Sequence, residues 1–147
     1  TKVNPEVLEK CMADGFIPIV ATVAQAADNT DRGYVYNINA DTAAAELAVA
    51  LQAEKLILLT DVRGVLADPQ DENSLLQVIH PEELAGYRES GVLKGGMIPK
   101  TECCADAIAG GVKRTHIIDG RIPHSILIEM LTDEGIGTMI LNKEEHV

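Results

Sequence analysis

Two short apolar runs, Lys55-Leu56-Ile57-Leu58-Leu59 and His116-Ile117-Ile118-Asp119, constrain this 147-residue chain most, because each arrives directly after a stretch of helical composition. Such a run reads as a strand buried in a sheet. Phe16-Ile17-Pro18-Ile19-Val20-Ala21 reads the same way, with its proline at an edge or beginning; Leu75 to Ile79 is a weaker candidate and Thr138 to Leu141 a last strand. Helices are expected from Asn4-Pro5-Glu6 to Gly15, over Thr42 to Ala53, from Pro81 to about Ser90, over Pro99 to Ala109 and over His124 to Leu131. Short strands alternating with helices predict βαβ units, hence an α/β chain: a three-layer α/β/α sandwich around a mainly parallel sheet. The length suits one domain, with no internal repeat and no dividing linker. Trp is absent and only one Phe and three Tyr occur, so the core must come from Ala, Val, Ile, Leu and Met.

A net charge of -11 argues against nucleic acid and anionic membrane as partners, while leaving room for a small anion at a locally positive site. Cys11, Cys103 and Cys104 lack zinc or disulfide spacing and read as buried thiols of a reducing compartment, with no metal site. No apolar run approaches the roughly 20 residues of a membrane span, so a soluble protein is expected. Thr1 enters a helical pattern almost at once, which raises the expectation of a fragment whose upstream part is missing.

Chemistry gathers in three places. Asn37, Asn39 and Asp41 alternate, so an extended run would turn all three to one face; Asp41 or Thr42 then makes an N-cap for the alanine-rich helix, whose N-terminus suits an anion. The run reads equally well as a plain cap-and-turn segment. Asp28 to Gly33 ahead of it is a loop or hairpin tip. Thr60 to Leu66 sits where a strand ends, the usual ligand position in open α/β sheets, although Asp61 is on local grounds a strand-end cap or turn residue. Gly91 to Lys100 holds three glycines in six residues and places Lys100 in the first turn of a helix, near unpaired N–H groups. The helix dipole disfavours a lysine there, and a bound anion would resolve the misfit; an ordinary solvated lysine is the competing reading.

Together, YNINADTAAAELA from Tyr36, AEKLILLTDVRGVL from Ala53, GGMIPKTECC from Gly95, GGVKRTHIIDGR from Gly110 and TDEGIGTMI from Thr132 resemble the acetylglutamate kinases of the amino acid kinase family, over their C-terminal, nucleotide-binding half. The resemblance implies that ATP, with Mg2+, phosphorylates the side-chain carboxylate of N-acetyl-L-glutamate to an acyl phosphate in arginine biosynthesis. It implies that Lys100 stabilises the transferring phosphoryl group, that Asp41 positions catalytic lysines, and that Asn37 and Asn39 contact the substrate. Asp61, Val62, Arg63, Gly64, Val65 and Leu66 match the nucleotide-contacting loop, and Val92, Leu93 and Lys94 a second nucleotide-facing segment. For Val92 and Leu93 the local alternative is plain packing. His116, Glu129 and Gly135 match contacts to inhibitory arginine in the allosteric branch, whereas locally His116 and Glu129 read as structural or solvated residues.

The family's N-terminal substrate domain, with its glycine-rich phosphate loop and second catalytic lysine, has no counterpart ahead of Thr1, so the chain alone is expected to bind nucleotide weakly and turn over little. The resemblance also implies a homo-oligomeric complete enzyme, a PII signalling protein as a partner in photosynthetic members, and a cytoplasmic or plastid location. Two other readings stand beside it: a non-catalytic nucleotide- or arginine-binding regulatory module, and a kinase of another acidic substrate.

Overall fold

The computed structural model describes residues 3–25, 34–132 and 135–144. The elements in order are α1 (Glu6–Ala13), β1 (Val23–Gln25), β2 (Val35–Asn37), α2 (Ala40–Ala50), β3 (Lys55–Thr60), β4 (Val78–Ile79), α3 (Leu84–Glu89), α4 (Met97–Ala109), β5 (Arg114–Asp119), α5 (Ser125–Leu131) and β6 (Thr138–Leu141). The main sheet runs β3-β5-β6-β4; β3 is parallel to β5 and β4 to β6, while β5 and β6 are antiparallel. β1 and β2 form a separate antiparallel pair.

β5 shows why this sheet needs three layers. Its residues from Thr115 to Asp119 are all buried although successive side chains point to opposite faces, so both faces must be covered. Ile117 belongs to the core shared with Ala45 and Ala48 of α2 and Cys104 and Ala107 of α4. His116, one residue earlier, turns the other way and meets Glu129 of α5. The α/β/α expectation therefore holds, with α2 and α4 on one side of the sheet and α5 on the other. Burying each of Ile79, Ile117, Ile118 and Ile140, all fully enclosed, contributes about 1.5–3 kcal/mol. Small residues set the α2–α4 spacing: a Cβ on Gly110 would fall 2.4 Å from Cγ2 of Val49.

Several sequence expectations are corrected. Phe16 to Ala21 forms no strand; Ile17 and Ile19 are 91% and 97% exposed, because no neighbouring strand among the described residues lies beside them. α1 buries none of its residues, so the Val7-Leu8-Cys11-Met12 stripe does not reach the core. The run Asn37-Asn39-Asp41 does not stay extended, since β2 ends at Asn37 and α2 begins at Ala40. The cap of α2 is Asn39, whose side chain accepts from the Thr42 N–H at 3.1 Å, rather than Asp41 or Thr42. Only Val78 and Ile79 of the Leu75 to Ile79 run form a strand, and the Pro81 to Ser90 helix opens as a 3₁₀ turn before α3. Of the three thiols only that of Cys104 is buried, and burial pushes its pKa up to about 12, while Cys11 and Cys103 are half-buried. The expected loop from Asp28 to Gly33 lies outside the described residues.

Candidate functional site

β3 and β5 are parallel and in register from Lys55 against Arg114 to Thr60 against Asp119, so both deliver their C-terminal ends to one edge of the sheet. That edge is where crossover topology leaves a crevice. The N-terminal turns of α2 and α4 close on it from the side. Asp41, in the first turn of α2, and Lys100, in the first turns of α4, meet there with Oδ2 and Nζ 2.7 Å apart. Their side chains are 27% and 16% exposed, enough to reach a ligand while remaining held by packing.

The pair borders a cleft of about 510 Å³ that is also lined by Asn39, Thr60, Asp61, Val62, Lys94, Gly96, Met97 and Pro99. Val62, Lys94 and Met97 continue into a second pocket of about 240 Å³ lined by Gly64, Val65, Leu66, Pro69, Val92 and Leu93. The first compartment carries charge, and the second, apart from Lys94 at their shared border, is lined mainly by apolar side chains. A phosphate chain and a heterocyclic base need those two environments side by side.

Both lips of the pocket are anchored. The Val65 N–H donates to Thr138 Oγ1 at 2.8 Å, and the Leu76 N–H to the Val65 carbonyl, tying the loop after β3 to β6 and to the returning chain. On the opposite lip the Val92 and Leu93 N–H groups both donate to the Tyr87 carbonyl, which ends α3 and fixes the approach to Lys94. Gly91 and Gly95 bracket that approach with φ of 75° and 53°, angles that favour glycine.

Of the free N–H donors expected beside Lys100, two are taken up within the chain. The Met97 and Ile98 N–H groups donate to the Lys94 and Gly95 carbonyls, and Pro99 has none to offer. Asp41 thus relieves the misplaced charge of Lys100 in the structure. Two other matched residues lie apart from the cleft lining: Asn37, exposed at the end of β2, and Arg63, whose Nη1 donates to the Glu72 carbonyl at 3.3 Å. Thr60, Gly96, Met97 and Pro99 line the cleft without having been singled out; the strand-end position of Thr60 was the available signal. Among the described residues no cluster of three or more His, Cys, Asp or Glu could hold a metal ion.

His116, Glu129 and Gly135 gather across the sheet, on the α5 side. His116 Nδ1 and Glu129 Oε1 are 2.8 Å apart with both side chains 5% exposed, and Glu129 Oε2 accepts the Ile136 N–H at 2.8 Å. The hydrogen bond from His116 is the main cause that holds the Glu129 carboxyl below its usual range, against the opposing effect of burial. Nε2 of His116 is buried without a partner among the described residues. The side chains of His116 and Glu129 are thus buried and paired rather than solvated, while Gly135 is half-buried.

One further charged group was missed in the sequence. Asp119, buried at the end of β5, accepts the Arg121 N–H at 2.9 Å and the guanidinium at 3.0 and 2.8 Å, and these bonds hold its carboxyl at about 2. The Gly120 N–H between them donates to the Thr60 carbonyl, bracing the strand end that leads into Asp61. A depressed folded-state pKa gives stability that is present above the unfolded value of roughly 4 and lost as pH falls from there toward about 2. Asp119→Asn is expected to flatten that limb of an acid-unfolding curve followed by circular dichroism; an unchanged limb would show that the pair contributes nothing.

A family model described as the amino acid kinase family matches residues 1–119. The acetylglutamate kinase of Syntrophomonas wolfei is 52% identical over 141 residues, covering 96% of this chain and 48% of that protein. That of Pelotomaculum thermopropionicum is 54% identical over 140 residues, covering 95% and 46%. Among solved structures, N-acetylglutamate synthase from Neisseria gonorrhoeae, complexed with coenzyme A and L-arginine, is similar at a TM-score of 0.84 and 28% identity over 97% of this chain and 32% of that one. The chain spans about half the length of the curated relatives it matches.

Proposed function

The chain belongs to the amino acid kinase family, and from that premise we propose that it forms the nucleotide-binding half of an enzyme that phosphorylates the side-chain carboxylate of N-acetyl-L-glutamate with ATP and magnesium. The observation that carries the reading is the Lys100–Asp41 pair at the mouth of a charged cleft that opens into an apolar pocket. The apolar pocket takes the base, Asp61 accepts hydrogen bonds from ribose or base, and Lys94 and Lys100 face the phosphates. Magnesium, bound to the nucleotide, neutralises charge on the phosphates.

Phosphoryl transfer asks the protein for positioning and charge stabilisation more than for covalent chemistry. Lys100 supplies a cation beside the transferring group, and Asp41, 2.7 Å away, fixes where that cation stands. Asp41 has no proton to remove, because the acceptor is a carboxylate and already ionised at neutral pH. Asn39 lines the cleft next to Asp41, and Asn37 stands two residues earlier at the end of β2, from where both serve the acceptor.

The test is a chimera in which this chain replaces the matching half of the Syntrophomonas wolfei enzyme, assayed with ATP and magnesium while hydroxylamine traps any acyl phosphate. N-Acetyl-L-glutamate is expected to give hydroxamate, and the chain alone very little. A folded chimera that prefers glutamate, aspartate or carbamate would overturn the choice of substrate.

A second reading, regulatory, is favoured by the unpartnered Nε2 of His116 beside the ionised Glu129. On it, the corner formed by His116, Glu129 and Gly135 binds L-arginine, its cationic head drawn to the carboxylate. Inhibition of the chimera by L-arginine that Glu129→Gln abolishes would support this; inhibition unaltered by that change would end it.

A further inference from the structure

The turn that follows β5 is more heavily bonded than a turn requires. An aspartate that only shaped it would need to accept the Arg121 N–H, as Asp119 Oδ1 does at 2.9 Å. The same carboxylate also takes the guanidinium with both oxygens, from Nε at 3.0 Å and from Nη2 at 2.8 Å, although the Asp119 side chain is 6% exposed and that of Arg121 67%. Two parallel bonds of this kind fix the plane of an arginine as well as its charge. Nη1 is left over, with no hydrogen bond among the described residues. The Asp119 hydrogen bonds, and after them the Asp119 charge, raise the Arg121 pKa, and Asp61 and Glu72 add to the rise across space. The backbone makes a second connection. Gly120 is seated against the end of β3, where a Cβ on it would come within 3.2 Å of Leu59 Cβ, and its N–H donates to the Thr60 carbonyl at 2.8 Å. Thr60 in turn donates from Oγ1 to Asp61 Oδ1 at 3.3 Å. Thr60 and Asp61 line the charged compartment while Asp119 and Arg121 do not, so whatever the pair contributes there passes through those two residues.

We propose that Asp119 and Arg121 are a positioning pair for the nucleotide site: they hold the corner at Thr60 and Asp61 so that the Asp61 carboxylate stands ready for the sugar or base of the nucleotide. The proposal rests on the nucleotide reading of the cleft and not on the identity of the acceptor. Asp61 is an exposed residue at the start of a loop, and such a side chain spends free energy on being ordered when a ligand arrives. A fixed cation nearby and a pinned backbone restrict it beforehand, which lowers that cost and improves affinity without a new contact to the ligand. The arrangement also explains why an arginine follows the turn: an alanine there would still give Asp119 its N–H and would leave the second oxygen of a buried carboxylate with no donor.

A double-mutant cycle tests this, read by calorimetric titration of the chain with magnesium and a nonhydrolysable ATP analogue carried to millimolar ligand. Arg121→Ala is expected to weaken binding about three- to tenfold in the parent and by less than about twofold once Asp61 is replaced by alanine, because the carboxylate it positions is then gone. Asp119→Asn should behave as Arg121→Ala does. Arg121→Lys keeps the charge and loses the fork, so it should weaken binding in the same direction by a smaller factor, and it carries the cycle if the alanine variant does not fold. Equal weakening in both backgrounds would overturn the proposal, leaving the pair a general brace of the fold. An Arg121→Ala chain that binds as the parent does would overturn it too. If the folded parent binds no nucleotide, the nucleotide reading falls and the role of the pair with it, whereas a parent that binds and a cycle that is additive defeat the positioning role alone.

Discussion

Replacing Lys100 with alanine in the chimera is expected to lower kcat by about 10²–10³-fold, the usual cost of deleting one preorganised group that meets developing charge, while KM for ATP changes much less. The asymmetry follows from where the side chain stands. Lys100 is largely packed and held by Asp41 at one edge of the cleft, whereas the pocket expected to take the base is walled by Val62, Val65, Leu66 and Leu93 at the other end. Loss of Lys100 therefore leaves most ground-state binding in place and removes what the transferring group meets. Asp41→Asn should act in the same direction and less strongly, since Lys100 keeps its charge and loses its anchor. A Lys100→Ala chimera whose kcat stays within about tenfold of the parent would remove Lys100 from the chemistry.

Gly64→Ala is the second large effect. Gly64 has φ of 150°, and a Cβ there would lie 2.6 Å from Thr138 Oγ1 and 3.0 Å from both the Thr138 nitrogen and Leu75 Cδ1. Thr138 Oγ1 is the atom that accepts the Val65 N–H, so the loop cannot accept the methyl group without giving up the bond that fastens it to β6. A combined backbone and overpacking cost of about 1–3 kcal/mol is expected, or roughly 2–4 °C of Tm for each kcal/mol. Nucleotide affinity should fall with it, because the displaced segment is a wall of the apolar pocket. Gly86→Ala is the natural comparison. Gly86 lies within α3 with open space around it, so alanine there should be neutral or mildly stabilising. Equal melting temperatures for the Gly64 variant and the parent would mean the loop yields easily.

Much of this was legible in the residues because the central strands announce themselves. His116 to Asp119 is buried on both faces, whereas in Lys55 to Leu59, at the end of the described sheet, Leu56 and Leu58 are buried and Leu59 is 51% exposed, so that run is less enclosed than its unbroken apolar composition predicts. The three-layer order followed from their alternation with helices. What stayed hidden depended on a partner distant in sequence in one case and, in the others, on local backbone geometry that residue types leave open. The Lys100–Asp41 contact spans 59 residues, so local reasoning assigned the lysine to helix N–H groups that the Lys94 and Gly95 carbonyls in fact satisfy. Asn39 and Asp41 are both good caps, and nothing local says which of them turns back onto the Thr42 N–H. Asp119 looked like the end of a strand, and only the fold of the Gly120 turn brings Arg121 onto it. Phe16 to Ala21 is the instructive failure. Its residues have the pattern of a strand, and a strand needs a neighbour to pair with.

If a nucleotide lies across the two compartments with its phosphates at Lys94 and Lys100, calorimetric titration of this chain with magnesium and a nonhydrolysable ATP analogue will give weak, saturable binding at one site, lost in the folded Lys100→Ala, Asp61→Ala double variant. Binding that survives unchanged in the double variant, or no binding by the folded parent chain, would contradict it.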